Sequence, residues 1–310
     1  MFPASLRAPA LRRAAATVAG LSLVVALAAC SAAPAEGGGA AESESPGSVP
    51  TMAPVESAAA LVPQDVRASG VLVAAIPTNE PPTQFYREGT KEMTGVNPDI
   101  ARLVAGALDL KPQIEVTNFD AIIPGLAAAR FDMTVSSMTP TEERMKQLDF
   151  VEYVSFGSGL AVPAGNPEQV DFDSLCGKRV SVLKGSYQLT SRVPGMVAAC
   201  EASGAGPLEI LQFPDTQQAV SSAINGRADA VFADAPILAY AALQDERIEI
   251  AGEDGIDPVA IGLPRESGML EAVAAAMDAV LQSPEYQEVL ASYGLESMAI
   301  TEARINVPQG

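Results

Sequence analysis

The 310-residue chain contains no histidine. That absence removes imidazole acid–base catalysis, Ser-His-Asp triads and the commonest zinc ligand sets together. Tryptophan is also missing, and aromatic residues make up 5% of the sequence. Basic residues are scarce, with 19 Lys+Arg against 38 Asp+Glu. That excess of negative charge favours solubility and excludes nucleic acid as a partner, because a phosphate backbone needs a basic surface. The three cysteines, Cys30, Cys176 and Cys200, offer no metal site without further ligands. No metal and no cofactor are expected.

Only one apolar run is long enough to suggest targeting. Ala14–Ala26 follows Arg7, Arg12 and Arg13 and is too short for a comfortable membrane span, so residues 1–29 read as a signal peptide. Leu27-Ala28-Ala29-Cys30 resembles a bacterial lipobox, which implies cleavage before Cys30 and diacylglycerol on its sulfur. The alternative is an ordinary signal peptide with a cysteine at its cleavage site. A multi-chain lipid anchor would hold the protein durably at a membrane surface. Residues 30–61, rich in Ala, Gly, Ser, Pro and Glu without apolar periodicity, read as a flexible tether. The leader holds three basic residues and no acidic one, so the remainder carries 16 basic against 38 acidic residues, a net charge of −22. With Cys30 lipidated, Cys176 and Cys200 are left as an even pair outside the cytoplasm, where disulfides persist.

From Val62 onward the pattern alternates strand and helix, which argues for an α/β fold. Gly70–Ile76 reads as a strand. Asn97 reads as an N-cap with Pro98 at the first helical position, opening a helix to Leu108. Gln113–Val116 is a strand, Asp120 caps a helix through Ala129, and Phe131–Ser136 is a strand. Val154–Val162 is extended, and the pattern then restarts. Arg179–Leu183, Leu208–Phe213 and Ala228–Ala233 read as strands, followed by helices opened at Gly185–Gln188, Asp215 and Pro236. Ile248–Ala251 and Val259–Leu263 are extended, and Gly268–Tyr293 is helical with a break near Pro284.

The richest stretch is Ser136-Ser137-Met138-Thr139-Pro140-Thr141-Glu142-Glu143-Arg144. A strand ending in hydroxyls runs into a helix with Thr139 as N-cap, Pro140 at the first position and Glu142 three residues after the cap. Backbone N–H groups, hydroxyls and one guanidinium then converge where a carboxylate can sit, held bidentately by Arg144. The competing reading is a surface helix whose Arg144 pairs with Glu143 or Asp149. Ser136-Ser137, Gly185-Ser186 and Asp234 all follow strand ends, where open α/β sheets bind ligands.

These segments together resemble the family 3 solute-binding proteins of ABC importers. The resemblance runs through Gly95-Val96-Asn97-Pro98-Asp99, Asp120–Leu126, Arg130-Phe131-Asp132, Met138–Arg144 and Asp149-Phe150. It continues through Val182–Ser186 and Gly226–Asp234. It implies a two-lobed periplasmic-binding-protein-like fold (type II) joined by two hinge strands. Lobe 1 would cover residues 62–160 and 263–310, lobe 2 residues 163–260, with hinges near 161–165 and 259–263. It implies an amino-acid ligand, an ABC permease partner and a monomeric binding protein on the outer face of the cell membrane. Arg144 would hold the α-carboxylate with Ser137, Thr139 and the N–H of Ser186 or Tyr187, and Asp234 would take the α-ammonium. Phe119 would stack on the ligand side chain, unless it is an ordinary core aromatic.

Three positions depart from the family pattern. Glu80 precedes Pro81-Pro82 where an aromatic is common; it either reads a cationic side chain or is a solvated loop carboxylate. Val151-Glu152 replaces a usual Ser and Pro. Tyr187 stands where a small hydroxyl residue is frequent. The functional expectation is a non-catalytic receptor for a polar amino acid, basic rather than neutral. Alternatives are a cyclohexadienyl-dehydratase-like enzyme using Glu80 and Asp234, or a sensor module signalling through a separate membrane partner.

Overall fold

The computed structural model describes residues 49–309. The expected signal peptide, Cys30 and most of the expected tether lie outside them. Residues 49–61 are not a tether: α1 (Glu56–Ala59) seats Ala58 fully buried, and the Val55 N–H donates to the Ala107 carbonyl. A short helix α2 (Gln64–Ser69) leads into β1 (Val71–Ile76).

A small hairpin of β2 (Phe85–Tyr86) and β3 (Met93–Thr94) precedes α3 (Val96–Ala107), β4 (Lys111–Val116), α4 (Ile122–Ala127) and β5 (Met133–Met138). One four-residue helix, α5 (Glu142–Met145), opens onto the long strand β6 (Leu148–Pro163). Then come β7 (Arg179–Leu183), α6 (Val193–Ser203), β8 (Glu209–Phe213), α7 (Thr216–Ile224), β9 (Ala230–Asp234) and α8 (Ala235–Gln244). Strand β10 (Ile248–Pro264) and helices α9 (Leu270–Leu281) and α10 (Pro284–Ser292) follow.

Eight strands form one sheet in the order β4-β1-β5-β10-β6-β9-β7-β8. The parallel trio β4-β1-β5 belongs to one lobe and the parallel trio β9-β7-β8 to the other. The antiparallel pair β6 and β10 runs through both, paired from Leu148–Pro264 to Pro163–Ile248. This is the two-lobed α/β architecture with two joining strands that the sequence suggests. The two extended segments expected at 248–251 and 259–263 are one strand.

Apolar packing divides along that pair. On β6, Val151, Tyr153, Val154 and Phe156 belong to the core of lobe 1, and Leu160 and Val162 to that of lobe 2. On β10 the change falls between Ala251 and Val259. Between those points the ladder slips register at Ile250/Gly252 and Asp254/Asp257. A Cβ at Gly157 would come within 2.2 Å of the Gly255 carbonyl oxygen, so the two strands approach there as only glycine allows.

Several helix starts move from their expected positions. The N-cap of α3 is Gly95, at φ 115°, and Asn97 lies inside the first turn. Asp120 caps nothing; it sits in a 3₁₀ turn (Phe119–Ala121) and pairs with Lys184 at 2.7 Å. Asp215 does cap α7, accepting from the Gln218 N–H at 2.8 Å. Cys176 and Cys200 are joined as a disulfide, tying the segment before β7 to α6. Among the described residues, no helix is long and apolar enough to cross a membrane.

Candidate functional site

The strand ends of both lobes meet in one narrow cleft lined by Glu80, Phe119, Ser137, Arg144, Ser186, Tyr187 and Asp234. Of the residues singled out from sequence, only the Thr139 side chain is not part of that lining; Thr139 contributes its carbonyl. The remaining lining includes Ser136, Gln188 and Thr216. The space measures about 20 Å³, room for a water and little more. Anything of amino-acid size requires the lobes to part.

Arg144 is 7% exposed. Its Nη1 donates to the Thr139 carbonyl at 2.7 Å and its Nη2 reaches across to the Gly185 carbonyl of lobe 2 at 2.9 Å. The guanidinium carbon lies 5.5 Å from the Phe119 ring centroid, within cation–π range. Neither Glu143 nor Asp149 pairs with it, and it has no salt bridge among the described residues. Burial lowers its pKa to about 10, opposed by the nearby Asp234. A buried guanidinium bonded only to carbonyls lacks a counter-charge, and an incoming carboxylate supplies one.

The loop that carries Arg144 is built differently from the sequence reading. The cap is Thr141 rather than Thr139: its Oγ1 accepts from the Arg144 N–H at 3.2 Å. Pro140 therefore lies before the helix. Ser137 adopts φ 54°, a left-handed conformation that costs a non-glycine residue about 1–3 kcal/mol unless its surroundings fix it. They do: its N–H donates to the Tyr153 hydroxyl at 3.0 Å, and its Oγ accepts from Asn97 Nδ2 at 3.0 Å. The Ser186 N–H, expected as a carboxylate donor, is engaged with the Leu183 carbonyl at 3.2 Å.

Two carboxyls line the same cleft. Asp234 ends β9, and its Oδ1 accepts from Gln188 Nε2 at 2.9 Å; the same amide donates to Ser158 Oγ at 2.9 Å. Burial raises the Asp234 pKa to about 6, against the lowering effects of Gln188 and Arg144. Glu80 is not a solvated loop carboxylate: it is 3% exposed. Its Oε1 accepts from the Thr216 N–H at the start of α7, at 2.9 Å, and its Oε2 accepts from Gln84 Nε2 at 3.0 Å. Burial dominates its pKa and raises it to about 7, with Asp234 adding to the rise.

A directional chain of hydrogen bonds connects the acid to the serine. Gln84 Oε1 accepts from Asn97 Nδ2 at 2.6 Å, and Asn97 Oδ1 accepts from the Tyr153 hydroxyl at 2.5 Å. Sequence reasoning missed Gln84, Asn97, Tyr153, Gln188 and Thr216 as site residues. Asn97 was visible only as a helix-start signal. Tyr153, Gln188 and Thr216 had no local signal, because each acts through partners distant in the chain, and Gln84 bonds Glu80 four residues away in a segment without helical or strand periodicity.

The site thus presents one buried cation, the buried carboxyl of Glu80 and the half-buried carboxyl of Asp234 across one cleft, which suits a small charged molecule. Comparison with known proteins agrees with that reading. Residues 72–296 match the bacterial extracellular solute-binding proteins, family 3. The arginine-binding protein ArgT of Corynebacterium glutamicum is 32% identical, over 82% of this chain and 84% of that protein. The solved structure of an ancestral arginine-binding protein bound to arginine superposes with a TM-score of 0.65 at 28% identity, over 72% of this chain and 98% of that one. At 24% identity, an ancestral amino acid-binding protein described as a precursor of cyclohexadienyl dehydratase shares the fold, with a TM-score of 0.65 over 74% of this chain and 97% of that one. The chain belongs to the bacterial extracellular solute-binding proteins, family 3, and within it to the proteins that bind amino acids for ABC transporters.

Proposed function

We propose that this protein captures a basic amino acid, of the arginine, lysine or ornithine type, and delivers it to an ABC permease. The observation that carries the preference is the charge count in the cleft. Arg144 contributes one positive charge, and Glu80 and Asp234 together contribute two negative ones. A basic amino acid brings one carboxylate and two cations, so every charge finds a partner. A neutral amino acid leaves one carboxyl without a cation, and an acidic one adds a second ligand carboxylate that also lacks one; burying an unpaired charge costs several kcal/mol.

In this reading Arg144 and Ser137 hold the α-carboxylate, Asp234 the α-ammonium, Glu80 the side-chain cation, and Phe119 its aliphatic stem. Ser186 and Tyr187 shape the wall, and Thr139 steadies Arg144 through its carbonyl. The register slips and the change of packing support a hinge at 157–159 on β6 and 252–257 on β10, several residues from the 161–165 and 259–263 expected from sequence. The arginine-binding description of the Corynebacterium relative points the same way. Isothermal titration of residues 31–310 against arginine, lysine, ornithine, glutamine and glutamate tests it. At least tenfold tighter binding of the basic ligands is expected, and tighter binding of glutamine or glutamate overturns the preference.

The lipobox resemblance supports lipid anchoring through Cys30 on the outer face of the membrane. Mass spectrometry of the N-terminal peptide from cells expressing the full chain reads this directly; an unmodified Cys30 removes the anchor.

One observation favours a second reading. A buried carboxyl with a pKa near 7, as at Glu80, is also what a general acid needs at neutral pH. A dehydratase acting on prephenate or arogenate would use it to protonate the departing hydroxyl. Incubation with both compounds, followed by absorbance of the aromatic product, decides the matter: turnover establishes the enzyme, and its absence leaves the receptor.

A further inference from the structure

Glu152, one of the departures from the family pattern, is 3% exposed on β6. Its Oε2 accepts from Arg304 Nε at 2.9 Å, and its Oε1 has no hydrogen-bond partner. Arg304 belongs to a segment beyond residue 296, outside the part of the chain that matches the family. That segment runs along the free edge of β6 within lobe 1. The Glu152 N–H donates to the Arg304 carbonyl at 3.1 Å, and Val151 pairs with Ile305 in an antiparallel bridge. Asn306 makes three bonds: its N–H to the Phe150 carbonyl at 3.0 Å, its Oδ1 from the Phe150 N–H at 2.8 Å, and its Nδ2 to Asp149 Oδ1 at 3.0 Å.

The segment then crosses to the loop that carries Arg144. The Gln309 N–H donates to the Pro140 carbonyl at 2.7 Å, and Gln309 pairs with Thr141 in a parallel bridge. Thr141 is the residue whose hydroxyl holds the Arg144 N–H. Helix α5 has four residues, and a single turn does not hold itself in place without outside contacts. A binding group must sit within about half an ångström of its working position, so those contacts decide how well Arg144 is aimed.

We propose that residues 304–309 are a positioning strap for the carboxylate subsite: anchored on β6 by Arg304 and Asn306, they fix Pro140 and Thr141 and through them Arg144. None of them lines the cleft. The proposal rests on the carboxylate role given to Arg144 above.

The test compares the parent protein with Gln309→Pro, which removes the single N–H, and with a variant lacking residues 307–310, which keeps the β6 anchor. Affinity is measured for L-arginine and for agmatine, which has the same guanidinium side chain and amine but no carboxylate. Loss of one hydrogen bond weakens arginine about five- to tenfold, while agmatine changes less than twofold. Hydrogen–deuterium exchange is expected to quicken across 139–147 and to stay unchanged across 230–244. An equal loss for arginine and agmatine overturns the strap, as does parent-like exchange across 139–147. If the parent binds neither compound, the basic amino-acid reading fails by itself, and the exchange comparison alone decides the strap.

Discussion

Replacing Glu80 with glutamine keeps the shape of the side chain and removes its charge. In the parent, Glu80 accepts from two donors, the Thr216 N–H and Gln84 Nε2. A glutamine offers one acceptor and brings its own NH₂ against one of those donors. Gln84 cannot turn over to help, because its Oε1 already accepts from Asn97 Nδ2. One bond inside the protein is lost and, for a basic ligand, so is the carboxylate that meets the side-chain cation. A hydrogen bond to a charged group contributes about 1.5–3 kcal/mol, so arginine affinity at pH 8 should fall roughly 10- to 150-fold. Glutamine affinity should change by less than about fivefold, the size of one neutral hydrogen bond. The pH dependence is the sharper assay. With its pKa raised to about 7, Glu80 is protonated at pH 5 and must release that proton to receive a cation. Arginine affinity of the parent should therefore rise by up to ~100-fold between pH 5 and pH 8. Calorimetry in buffers of different ionisation heat should detect proton release near pH 6.5, and Glu80→Gln should flatten most of the rise. The stability of the ligand-free fold moves oppositely: a raised carboxyl pKa stabilises below pH 4.5, and that contribution, about 3 kcal/mol, is lost as pH rises through 7. A flat affinity profile in the parent, or an equal loss for arginine and glutamine in the variant, would refute Glu80 as reader of a cation.

Arg144→Ala should abolish measurable binding of any amino acid, more than ~100-fold by calorimetry, because the ligand carboxylate is left buried and unpaired; circular dichroism should show the fold intact. Tyr153→Phe removes the hydroxyl that holds Ser137 and Asn97, leaves buried groups unsatisfied, and should lower thermal stability by about 1–3 kcal/mol together with a weaker ligand affinity; parent-like values for both would show that the network is idle. Opening the Cys176–Cys200 loop, of sequence separation 24, by Cys-to-Ser substitution at both positions should cost about 3 kcal/mol of stability in thermal melts with little change in affinity.

Local pattern carried far in this chain. The β7 strand occupies the expected Arg179–Leu183, and Asp215 caps the helix that follows. Strand ends could be located, and in an open α/β sheet strand ends locate the cleft. Contacts between distant residues left no local trace. The Asn97 amide joins Gln84, Ser137 and Tyr153, which are 13, 40 and 56 residues away. Its place near a helix start suggested a cap and nothing more. The start of α5 was misplaced because Thr139-Pro140 and Thr141-Glu142 both satisfy cap rules, and bonds from the Gln309 N–H and the Arg144 N–H favour the second. Strand β10 was read as two pieces because Gly252-Glu253-Asp254-Gly255 resembles a loop. It continues because β6 pairs alongside it throughout, and Gly157 lets the Gly255 carbonyl approach closely where the register slips.

The distribution of charge between lobes explains how closure can depend on ligand. Arg144 and Glu80 belong to lobe 1 and Asp234 to lobe 2, yet Arg144 and Glu80 each bond a backbone group of lobe 2, the Gly185 carbonyl and the Thr216 N–H. These bonds, with the Lys184–Asp120 pair at the rim, give closure a fixed geometry. Closure without ligand buries one cation lacking a counter-charge and takes two carboxyls out of water, which is why both have raised pKa values. Above pH 7 both are ionised and the closed, ligand-free state is penalised. In the proposed reading, a basic amino acid would remove that penalty by pairing all three groups. Protons do part of the same work: near pH 5, Glu80 and Asp234 are largely neutral, and closing without ligand costs less. Small-angle scattering of the ligand-free protein should therefore give a smaller radius of gyration at pH 5 than at pH 8, with arginine at pH 8 restoring the small value. Equal radii at both pH values would mean that shape rather than charge governs closure, and the two cleft carboxyls would then need another explanation.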